Sequence, residues 1–391
     1  MTASRRRILL LVPSMRLAGG TERVVHNLSV LFGAGGSDVA VASFDDAGDP
    51  WHFDCAGERH ALGSVGRMPL LLRWLEYVAQ ARKLARLKRC LNPDLTISNL
   101  WRADLISLLS GGADRKIAIA HINVVGNPTN RLMVRMRGVV GAVYRRFAKV
   151  VAVSAPLAEE LTGLYRLKPN QCVAIDNFTD VPASTAAQRD DGIARAVWCG
   201  RLVPEKNLAG MIEVWSDLCR KLDKVQLIVI GDGPLRAELE AKARGLGLRL
   251  GERAGDSSAQ IVFTGAIAGP ADLMICSRVL LISSLAEGMP MILLEALALG
   301  LPVIAADCPS GGVRAALGDS GAEATGHGAL LPIPRPGDHT AQQVWLGWLE
   351  QAMTDDAALA AWRSSALARA KQFSPKVALE RWQATIAEVL G

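Results

Sequence analysis

The chain has 391 residues, half of them hydrophobic, and a formal net charge of +6 at pH 7. This length predicts two domains of ordinary size, each able to bury its own core. No apolar run reaches the ~18–20 residues of a membrane-spanning helix, and the run after Arg5–Arg7 is too short for a signal peptide. The seven cysteines lack the spacing of a disulfide framework or a zinc site, which favours a reducing, cytoplasmic location.

Charge is shared unequally between the two halves. Residues 1–180 carry 24 Lys and Arg against 15 Asp and Glu, whereas residues 181–391 carry 20 against 23. A basic first half and a slightly acidic second half predict different partners for each.

In the first half, short apolar runs alternate with helical patterns. We predict helices from Thr21, as the N-cap, to about Gly33 and from Leu70 to Leu91. This β-α-β succession argues for an open parallel sheet that is covered by helices on both faces. The predicted strands are Ile8–Val12, Val39–Phe44, Asp94–Ser98, Lys116–Ala120 and Val150–Val153.

A stretch of small and polar residues, Thr179–Gly192, is the predicted linker to a second α/β domain. The predicted domains are therefore 1–180 and 181–375, followed by a last helix at 376–391. Ligands of such sheets bind beyond the carboxyl ends of the strands, so two facing domains predict a cleft. The second domain has predicted strands at Ala194–Cys199, Val225–Ile230, Ile261–Thr264 and Val279–Ile282, and predicted helices at Asn207–Lys221, from Pro234, and at Met291–Leu299, Ala341–Met353, Asp356–Phe373 and Lys376–Leu390.

The most informative stretch, Ser283–Ser310, contains a strand-to-helix turn. Gly288 allows a tight turn, and Pro290 suits the first helical position. The amides of Met289 and Met291 should then face outward at a helix N-terminus, which favours an anionic group.

Two carboxylates, Glu287 and Glu295, stand eight positions apart in this stretch. Carboxylates beside an anion site are explained by a nucleotide-sugar. Its diphosphate would lie on the amides, its ribose hydroxyls on Glu295 and its sugar hydroxyls on Glu287. The alternative is a loop Glu and a solvated helical Glu.

Arg201 and Lys206 lie in the loop after the strand Ala194–Cys199. A guanidinium and an ammonium can together neutralise a diphosphate and the charge that develops as it leaves. The alternative is a surface loop with a Glu205–Lys206 neighbour pair. Upstream, Gly19 and Gly20 in the first strand-to-helix turn let the backbone approach a ligand, although many such pairs are plain turns.

The ordered set of motifs resembles the retaining glycosyltransferases of family 4, whose signature is Glu-x7-Glu. The similarity covers about Ile8 to Leu331 and comprises Gly19–Gly20, Gly200–Leu202 with Glu205–Lys206, Gly231–Pro234, Glu287–Pro290 with Glu295–Ala296, and Gly300–Val303. This resemblance implies the GT-B fold, with two Rossmann-like domains facing across a cleft. The first would bind the acceptor, the second the donor, and the last helix would cross back to the first domain.

The resemblance also implies individual roles. His121, at the end of a strand, would lie near the transferred sugar, although a lone His is more often structural. Asn123 and Asn127 lie in the same loop, and one role open to them is hydrogen bonding to sugar hydroxyls. The implied donor-binding residues are Gly19, Gly20, Arg201, Lys206, Gly231, Ile267, Glu287, Gly288, Met289, Pro290, Met291 and Glu295, and the implied catalytic residues are His121, Arg201, Lys206 and Glu287.

Two segments depart from the family pattern. Asn177–Asp180 lacks the glycine turn that the family often has there, and Gly311–Ala315 lacks an acidic residue. The departures bear on the acceptor side and leave the donor cluster intact.

The implied reaction is retaining glycosyl transfer from a nucleoside-diphosphate sugar, with a UDP-sugar favoured over GDP-mannose. The acceptor would be a lipid-linked glycan, a lipopolysaccharide or an exopolysaccharide. Since the sequence has no Asp-x-Asp, no metal or other cofactor is expected, and Arg201 and Lys206 would replace the metal. The alternatives are a nucleotide-sugar epimerase or sugar phosphorylase of the same architecture, and a non-catalytic donor-binding subunit.

A basic stretch, Arg131–Lys149, speaks to the acceptor. A basic amphipathic helix can lie on an anionic membrane, which suggests a peripheral enzyme at the inner face of the cytoplasmic membrane. The alternative is a helix with a solvated basic side, and nucleic acid is not expected because the aromatics form no stacking platform. The candidate membrane or acceptor contacts are Arg131, Arg135, Arg137, Arg145, Arg146 and Lys149.

Overall fold

The computed structural model describes residues 5–16, 19–64, 73–125, 131–181, 191–251, 253, 255–267, 269–318 and 325–391. The chain divides into two units: Met1–Asp180 with Ser374–Gly391, and Val181–Phe373. The predicted linker residues 182–190, the predicted helix start at Leu70, and Asn127 lie outside the described residues.

The first unit contains a seven-stranded sheet whose described strand pairs are all parallel. Apolar runs such as RILLLV in the first strand are buried because helices cover both faces. The spatial order is β3-β2-β1-β4-β5-β6-β7. The strands are β1 (Arg7–Val12), β2 (Asp38–Ser43), β3 (Glu58–Ala61), β4 (Leu95–Asn99), β5 (Arg115–Ala120), β6 (Lys149–Ala152) and β7 (Cys172–Ala174).

The helices of the first unit include the last helix of the chain. Trp382 of that helix packs edge-to-face on Phe32, with ring centroids 5.5 Å apart. The predicted return of the last helix to the first domain is therefore confirmed. The helices are α1 (Gly20–Ala34), α2 (Arg73–Leu91), α3 (Leu100–Leu109), α4 (Arg131–Arg135), α5 (Arg137–Tyr144), α6 (Ala155–Tyr165) and, after those of the second unit, α14 (Pro375–Leu390).

The second unit repeats this architecture with another seven-stranded parallel sheet, in the order β10-β11-β9-β8-β12-β13-β14. Its core packs three fully buried tryptophans, Trp198, Trp215 and Trp345. The strands are β8 (Ala194–Cys199), β9 (Val225–Ile230), β10 (Leu250–Gly251), β11 (Ile261–Gly265), β12 (Val279–Ile282), β13 (Val303–Ala306) and β14 (Gly328–Leu331). The helices are α7 (Leu208–Cys219), α8 (Arg236–Gly245), α9 (Ala271–Ile275), α10 (Met291–Ala298), α11 (Gly312–Leu317), α12 (His339–Thr354) and α13 (Asp356–Ala370).

Strand order reverses once in each sheet, between β1 and β4 in the first and between β8 and β12 in the second. At such a switch point the connections leave in opposite directions, which opens a crevice beyond the carboxyl ends of the strands. Each unit thus has one topologically favoured place for a ligand.

Two predicted residues at helix starts are misplaced, by two positions in α1 and by one position in α10. Gly19, and not Thr21, is the N-cap of α1. Pro290 is the N-cap of α10, with an extended ψ of 126°, and not its first helical residue; the helix itself begins at Met291 as predicted. In both cases the chain enters the helix through a residue without a capping side chain.

The basic stretch is not a single helix. It forms the short helices α4 and α5 and then turns into β6. The prediction that Lys149 contacts a membrane or acceptor is wrong, because its side chain is buried and its ammonium lies 2.5 Å from Glu388 of α14. Within the described ranges, no helix combines the length and apolarity needed to cross a bilayer.

Candidate active site

The switch point of the second unit brings the ends of β8 and β12 together. β8 runs into the loop that begins at Gly200, and β12 runs into the turn that precedes α10. The loops are joined where the amide of Leu285 donates to the carbonyl of Glu205, at 2.8 Å. A Cβ on Gly231 would lie 1.9 Å from the carbonyl oxygen of Gly200, so Gly231 is required for close packing of the backbone behind this loop.

Lys206 and Glu287 form an ion pair at this switch point. Lys206 ends the 3₁₀ turn Pro204–Lys206, and its side chain is 27% exposed, against 12% for Glu287. The hydroxyl of Ser284 also donates to Glu287 Oε1, at 2.6 Å. The pair is therefore ordered and at the same time open to solvent on the lysine side.

Ser283, which follows β12, holds the Lys206 loop through hydrogen bonds. Its hydroxyl donates to the Lys206 carbonyl at 2.9 Å and accepts from the indole N–H of Trp198 at 3.1 Å. Asn207, which has a positive φ of 49°, donates through Nδ2 to the Ser283 carbonyl at 3.1 Å. The Lys206 backbone is thus tied to a core tryptophan and to β12.

The turn of Glu287 is held from the segment after β13. The Glu287 amide donates to the hydroxyl of Ser310 at 3.0 Å. A Cβ on Gly312 would lie 1.7 Å from the carbonyl oxygen of Gly288, so only glycine allows α11 to approach this turn. The segment that departs from the family pattern therefore supports the Glu287 turn.

Glu295 is buried in the second turn of α10, and its charge acts on Cys199, the last residue of β8. Burial raises the pKa of the Cys199 thiol to about 12; the Glu295 carboxylate adds to this rise and the Lys206 ammonium opposes it. The pKa of Cys308 is also raised to about 12 by burial, with Glu287 adding to the effect. Both thiols are protonated at neutral pH, so neither is a nucleophile.

Arg201 lies in the loop that begins at Gly200, and its side chain is exposed. Among the described residues, no carboxylate lies within ion-pair distance of its guanidinium. Its five N–H donors are therefore available on the same loop as Lys206.

The residues that precede α10 are closely packed. The side chains of Met289 and Met291 are buried, as are Gly288 and Pro290. None of the described side chains caps the N-terminus of this eight-residue helix. A helix start that lacks a side-chain cap favours an anion in front of it. Ile267, after β11, is half-buried at the same edge of the sheet.

His121 lies at the carboxyl edge of the first sheet, directly after β5. Its Nε2 is 2.9 Å from Oδ1 of Asn99, the last residue of β4. Burial lowers the pKa of His121 to about 4, so its ring is neutral at physiological pH. The loop that follows is fixed by Glu160, which accepts from the amides of Val124 and Val125 and from Nδ2 of Asn123.

Gly19 and Gly20 start α1 as the motif predicts, but a carboxylate lies beside them. A Cβ on Gly19 would come within 2.2 Å of Glu22 Oε2, so this glycine makes room for the Glu22 side chain. A diphosphate at this point would meet a negative charge. The role of the two glycines in donor binding stays a prediction.

The basic residues of α4 and α5 are mostly on the surface. Arg145 is exposed as well, although its Nη1 donates to the Tyr165 carbonyl at 2.8 Å. Three large apolar side chains, Leu132, Met136 and Val139, are also exposed here. The other exposed basic residues are Arg131, Arg135, Arg137 and Arg146.

Several site residues escaped sequence reasoning. Serines and asparagines such as Ser283, Ser310 and Asn99 carry no periodic signal, and their partners are distant in sequence. Only the places of Ser283 and Asn99 at the ends of β12 and β4 could have identified them, and Ser310 lacks even this signal. In the parts of the chain that the structure describes, no cluster of His, Cys, Asp and Glu is arranged to bind a metal ion.

Comparisons with known proteins agree with this architecture. The family model described as Glycosyltransferase Family 4 matches residues 18–182, and the model described as Glycosyl transferases group 1 matches residues 194–341. The amylovoran biosynthesis glycosyltransferase AmsD of Erwinia amylovora is 24% identical over 96% of this chain and 98% of its own.

Solved structures show the same fold. Anabaena Alr3699/HepE, solved in complex with UDP and glucose, is 18% identical and has a TM-score of 0.75 over 98% of this chain and 100% of its own. The lipopolysaccharide outer core galactosyltransferase WaaB is 18% identical and has a TM-score of 0.65 over 97% and 99%. These matches confirm the predicted GT-B fold, and the chain belongs to the group 1 glycosyltransferases of family 4.

Proposed function

We propose that this glycosyltransferase binds a UDP-sugar at the β8/β12 switch point and transfers the sugar, with retention, to a polysaccharide or lipid-linked glycan. The observation that carries the proposal is the convergence of Lys206, Glu287 and Glu295 at that point, with Arg201 exposed on the same loop as Lys206. Cations beside two carboxylates suit a ligand that has both phosphates and hydroxyls.

The cations would act on the leaving group. As the bond between the anomeric carbon and the phosphate oxygen breaks, negative charge grows on the nucleoside diphosphate. Arg201 and Lys206 stabilise that charge, and the uncapped start of α10 contributes its amides. This chain's own donors thus supply the electrostatic stabilisation that the departing diphosphate needs.

Retention follows if the acceptor attacks from the face that the diphosphate leaves. The acceptor oxygen bonds to the anomeric carbon, and its proton passes to the departing phosphate oxygen. Glu287 orients the sugar through its hydroxyls and does not attack. Ser284 and Ser310 hold Glu287 in place for this role.

The choice of donor and acceptor rests on the relatives. HepE was solved with UDP, which supports a uridine donor over GDP-mannose. AmsD is named for amylovoran biosynthesis, which supports an exopolysaccharide or its lipid-linked precursor as the acceptor. WaaB, named for the lipopolysaccharide outer core, makes lipopolysaccharide the second candidate.

A panel of nucleotide-sugars tests the donor. Thermal stabilisation by one UDP-sugar identifies the ligand, since a ligand that binds only the folded state raises the melting temperature. Incubation of that donor without acceptor then separates transfer from epimerisation, because an epimerase converts the sugar on its own. The anomeric configuration of the product, read by proton NMR, must match the donor, and inversion would refute the mechanism.

We further propose that α4 and α5 place the enzyme on an anionic membrane, where lipid-linked acceptors lie. Leu132, Met136 and Val139 are exposed among five exposed arginines. These apolar side chains can enter the headgroup region while the cations contact lipid phosphates. Each cation near the surface contributes ~1 kcal/mol.

Sedimentation with phosphatidylglycerol–phosphatidylcholine vesicles tests this surface. Replacing Arg131, Arg135, Arg137 and Arg146 by Gln should abolish binding that is strong at low salt. The control replaces the exposed Arg82, Arg86 and Arg89 of α2 and should retain most of it. Equal binding by wild type and the α4–α5 variant would refute the membrane proposal and leave the donor site untouched.

A further inference from the structure

Asn99 occupies the switch point of the first unit. It is the last residue of β4, it is fully buried, and the neighbouring strand across the switch point is β1. Its Nδ2 is 3.1 Å from the carbonyl oxygen of Leu11 in β1. A carbonyl oxygen can only accept, so the amide has one orientation: Nδ2 faces Leu11 and Oδ1 faces away.

This orientation determines where the proton of His121 lies. Oδ1 of Asn99 can only accept, and it is 2.9 Å from Nε2 of His121. Nε2 must therefore carry the ring proton and donate it. A neutral imidazole has a single N–H, and burial keeps the ring neutral by lowering its pKa to about 4. Nδ1 is left with a lone pair.

We propose that Asn99 is a positioning residue that fixes His121 as the Nε2–H tautomer, so that Nδ1 accepts a hydrogen bond from the hydroxyl of a sugar bound at the carboxyl edge of the first sheet. The partner hydroxyl rests on the proposed function, whereas the tautomer does not. In this state His121 is neither a cation for the diphosphate nor an acid for the leaving oxygen. It orients a sugar by accepting a hydrogen bond from a hydroxyl, and the proton stays on the sugar.

The loop after His121 has its own anchor, which separates the two effects of a mutation. Glu160 accepts from the amides of Val124 and Val125, at 2.7 and 2.9 Å. Neither bond involves Asn99. Substitution of Asn99 should therefore free the imidazole ring while the loop remains in place.

NMR of the ¹⁵N-labelled histidine ring, in the full-length protein without ligand, tests the tautomer directly. The His121 signals are assigned by their loss in His121→Gln. We expect a protonated Nε2 and an unprotonated, pyridine-like Nδ1. A protonated Nδ1 in the wild type would overturn the proposal, and this reading requires no Asn99 variant to fold.

Asn99→Ala tests the consequence for transfer. It should mix the two tautomers and lower kcat at least tenfold, while the Kd of UDP, which lacks the sugar, stays unchanged. Asn99→Asp keeps an acceptor for Nε2 and should restore the Nε2–H signal and part of kcat. The matched control is Ser98→Ala, at the residue before Asn99. It loses a 2.6 Å hydrogen bond to Asp104 and should keep the wild-type tautomer.

The outcomes separate the two proposals. An unchanged tautomer or unchanged kcat in Asn99→Ala would refute the role of Asn99. Failure of every nucleotide-sugar to bind the wild type would refute the proposed function, even where the tautomer is as expected.

Discussion

Two lysine–carboxylate pairs, one in each unit, show how differently this chain uses the same chemistry. Lys88 and Asp114 lie 2.9 Å apart with side chains 4% and 2% exposed, and Asp114 precedes β5 at the amino end of the sheet. Lys206 and Glu287 lie beyond the carboxyl ends of β8 and β12, with side chains 27% and 12% exposed. A ligand can reach the second pair and exchange partners with it, whereas the first pair is sealed.

Position in an α/β sheet, and not the ion pair itself, therefore indicates function. A sealed pair contributes to stability only as long as both partners remain, because an unpaired buried charge is costly. An accessible pair near a switch point can rearrange when a charged ligand arrives.

The largest expected effect is on stability, at the sealed pair. Asp114→Asn should lower the free energy of unfolding by about 3–5 kcal/mol, because Lys88 and its neighbour Lys116 lose their anion. Urea denaturation measures this change. The control Asp217→Asn removes an exposed pair with Arg220 and should cost at most about 1 kcal/mol.

The Asp114→Asn variant should also change how the free energy of unfolding falls at acidic pH. Burial raises the pKa of Asp114, but the hydrogen bond from Lys88 and the nearby charges outweigh it, so the pKa is lowered overall. A lowered carboxyl pKa stabilises the fold fully above the unfolded-state pKa of about 3.9, and this stabilisation is lost as pH falls from there through the lower folded-state pKa. A donor KM that rises with Asp114→Asn would contradict the separation of the two pairs.

The next effect is on catalysis, beside the accessible pair. Arg201→Ala should lower kcat/KM about 10²–10³-fold, the usual loss when a donor to a developing anion is removed. Steady-state kinetics with the identified donor measure it. Arg244→Ala, on the exposed face of α8, is the control and should be neutral. Wild-type turnover in Arg201→Ala would contradict the catalytic role of Arg201. The second unit would then bind the donor without catalysing its transfer.

A smaller effect should raise the affinity for UDP and lower the rate of sugar transfer. It tests whether Lys206 leaves Glu287 to bind the diphosphate. Glu287→Gln frees Lys206, so UDP should bind severalfold more tightly. The same variant should transfer the sugar more slowly, because a carboxylate that orients hydroxyls is lost. Titration calorimetry with UDP and a transfer assay measure the two. Weaker binding of UDP would show that Lys206 does not serve the diphosphate.

The smallest effect is an expected absence of change in a pH profile. His121 has its pKa lowered from 6.5 to about 4 by burial, so it should not titrate between pH 5.5 and 8. The kcat/KM profile of His121→Gln should be lower than the wild-type profile but have the same shape. Acidification from pH 6.5 to about 4 should lower the free energy of unfolding. In this range the unfolded chain binds a proton at His121 that the folded chain does not. An acid limb near pH 6.5 that disappears in His121→Gln would contradict the neutral ring.

Much of the sheet could be predicted from the sequence, and the reasons are local. The strands Ala194–Cys199, Val225–Ile230 and Val279–Ile282 have the predicted bounds, because buried parallel strands are continuous apolar runs. β3, with the sequence ERHA, was not predicted because an edge strand with exposed side chains has no such pattern.

The site was predicted only in part, because its contacts are long-range. Glu287 and Lys206 stand in a recognisable motif, and the structure pairs them across 81 positions. Ser283, Ser310 and Asn99 gave no signal, since a buried serine or asparagine is identified by its partner. Lys149 was misassigned for the same reason, as Glu388 lies 239 positions away.

The central claim is that the β8/β12 switch point binds the diphosphate of a sugar nucleotide, and direct binding tests it best. Titration calorimetry of UDP should show measurable affinity for the wild type and at least a hundredfold loss in the double variant Arg201→Ala, Lys206→Ala. A cooperative thermal unfolding transition should show that the double variant folds. Unchanged affinity for UDP in a folded double variant would place the diphosphate elsewhere and contradict the account.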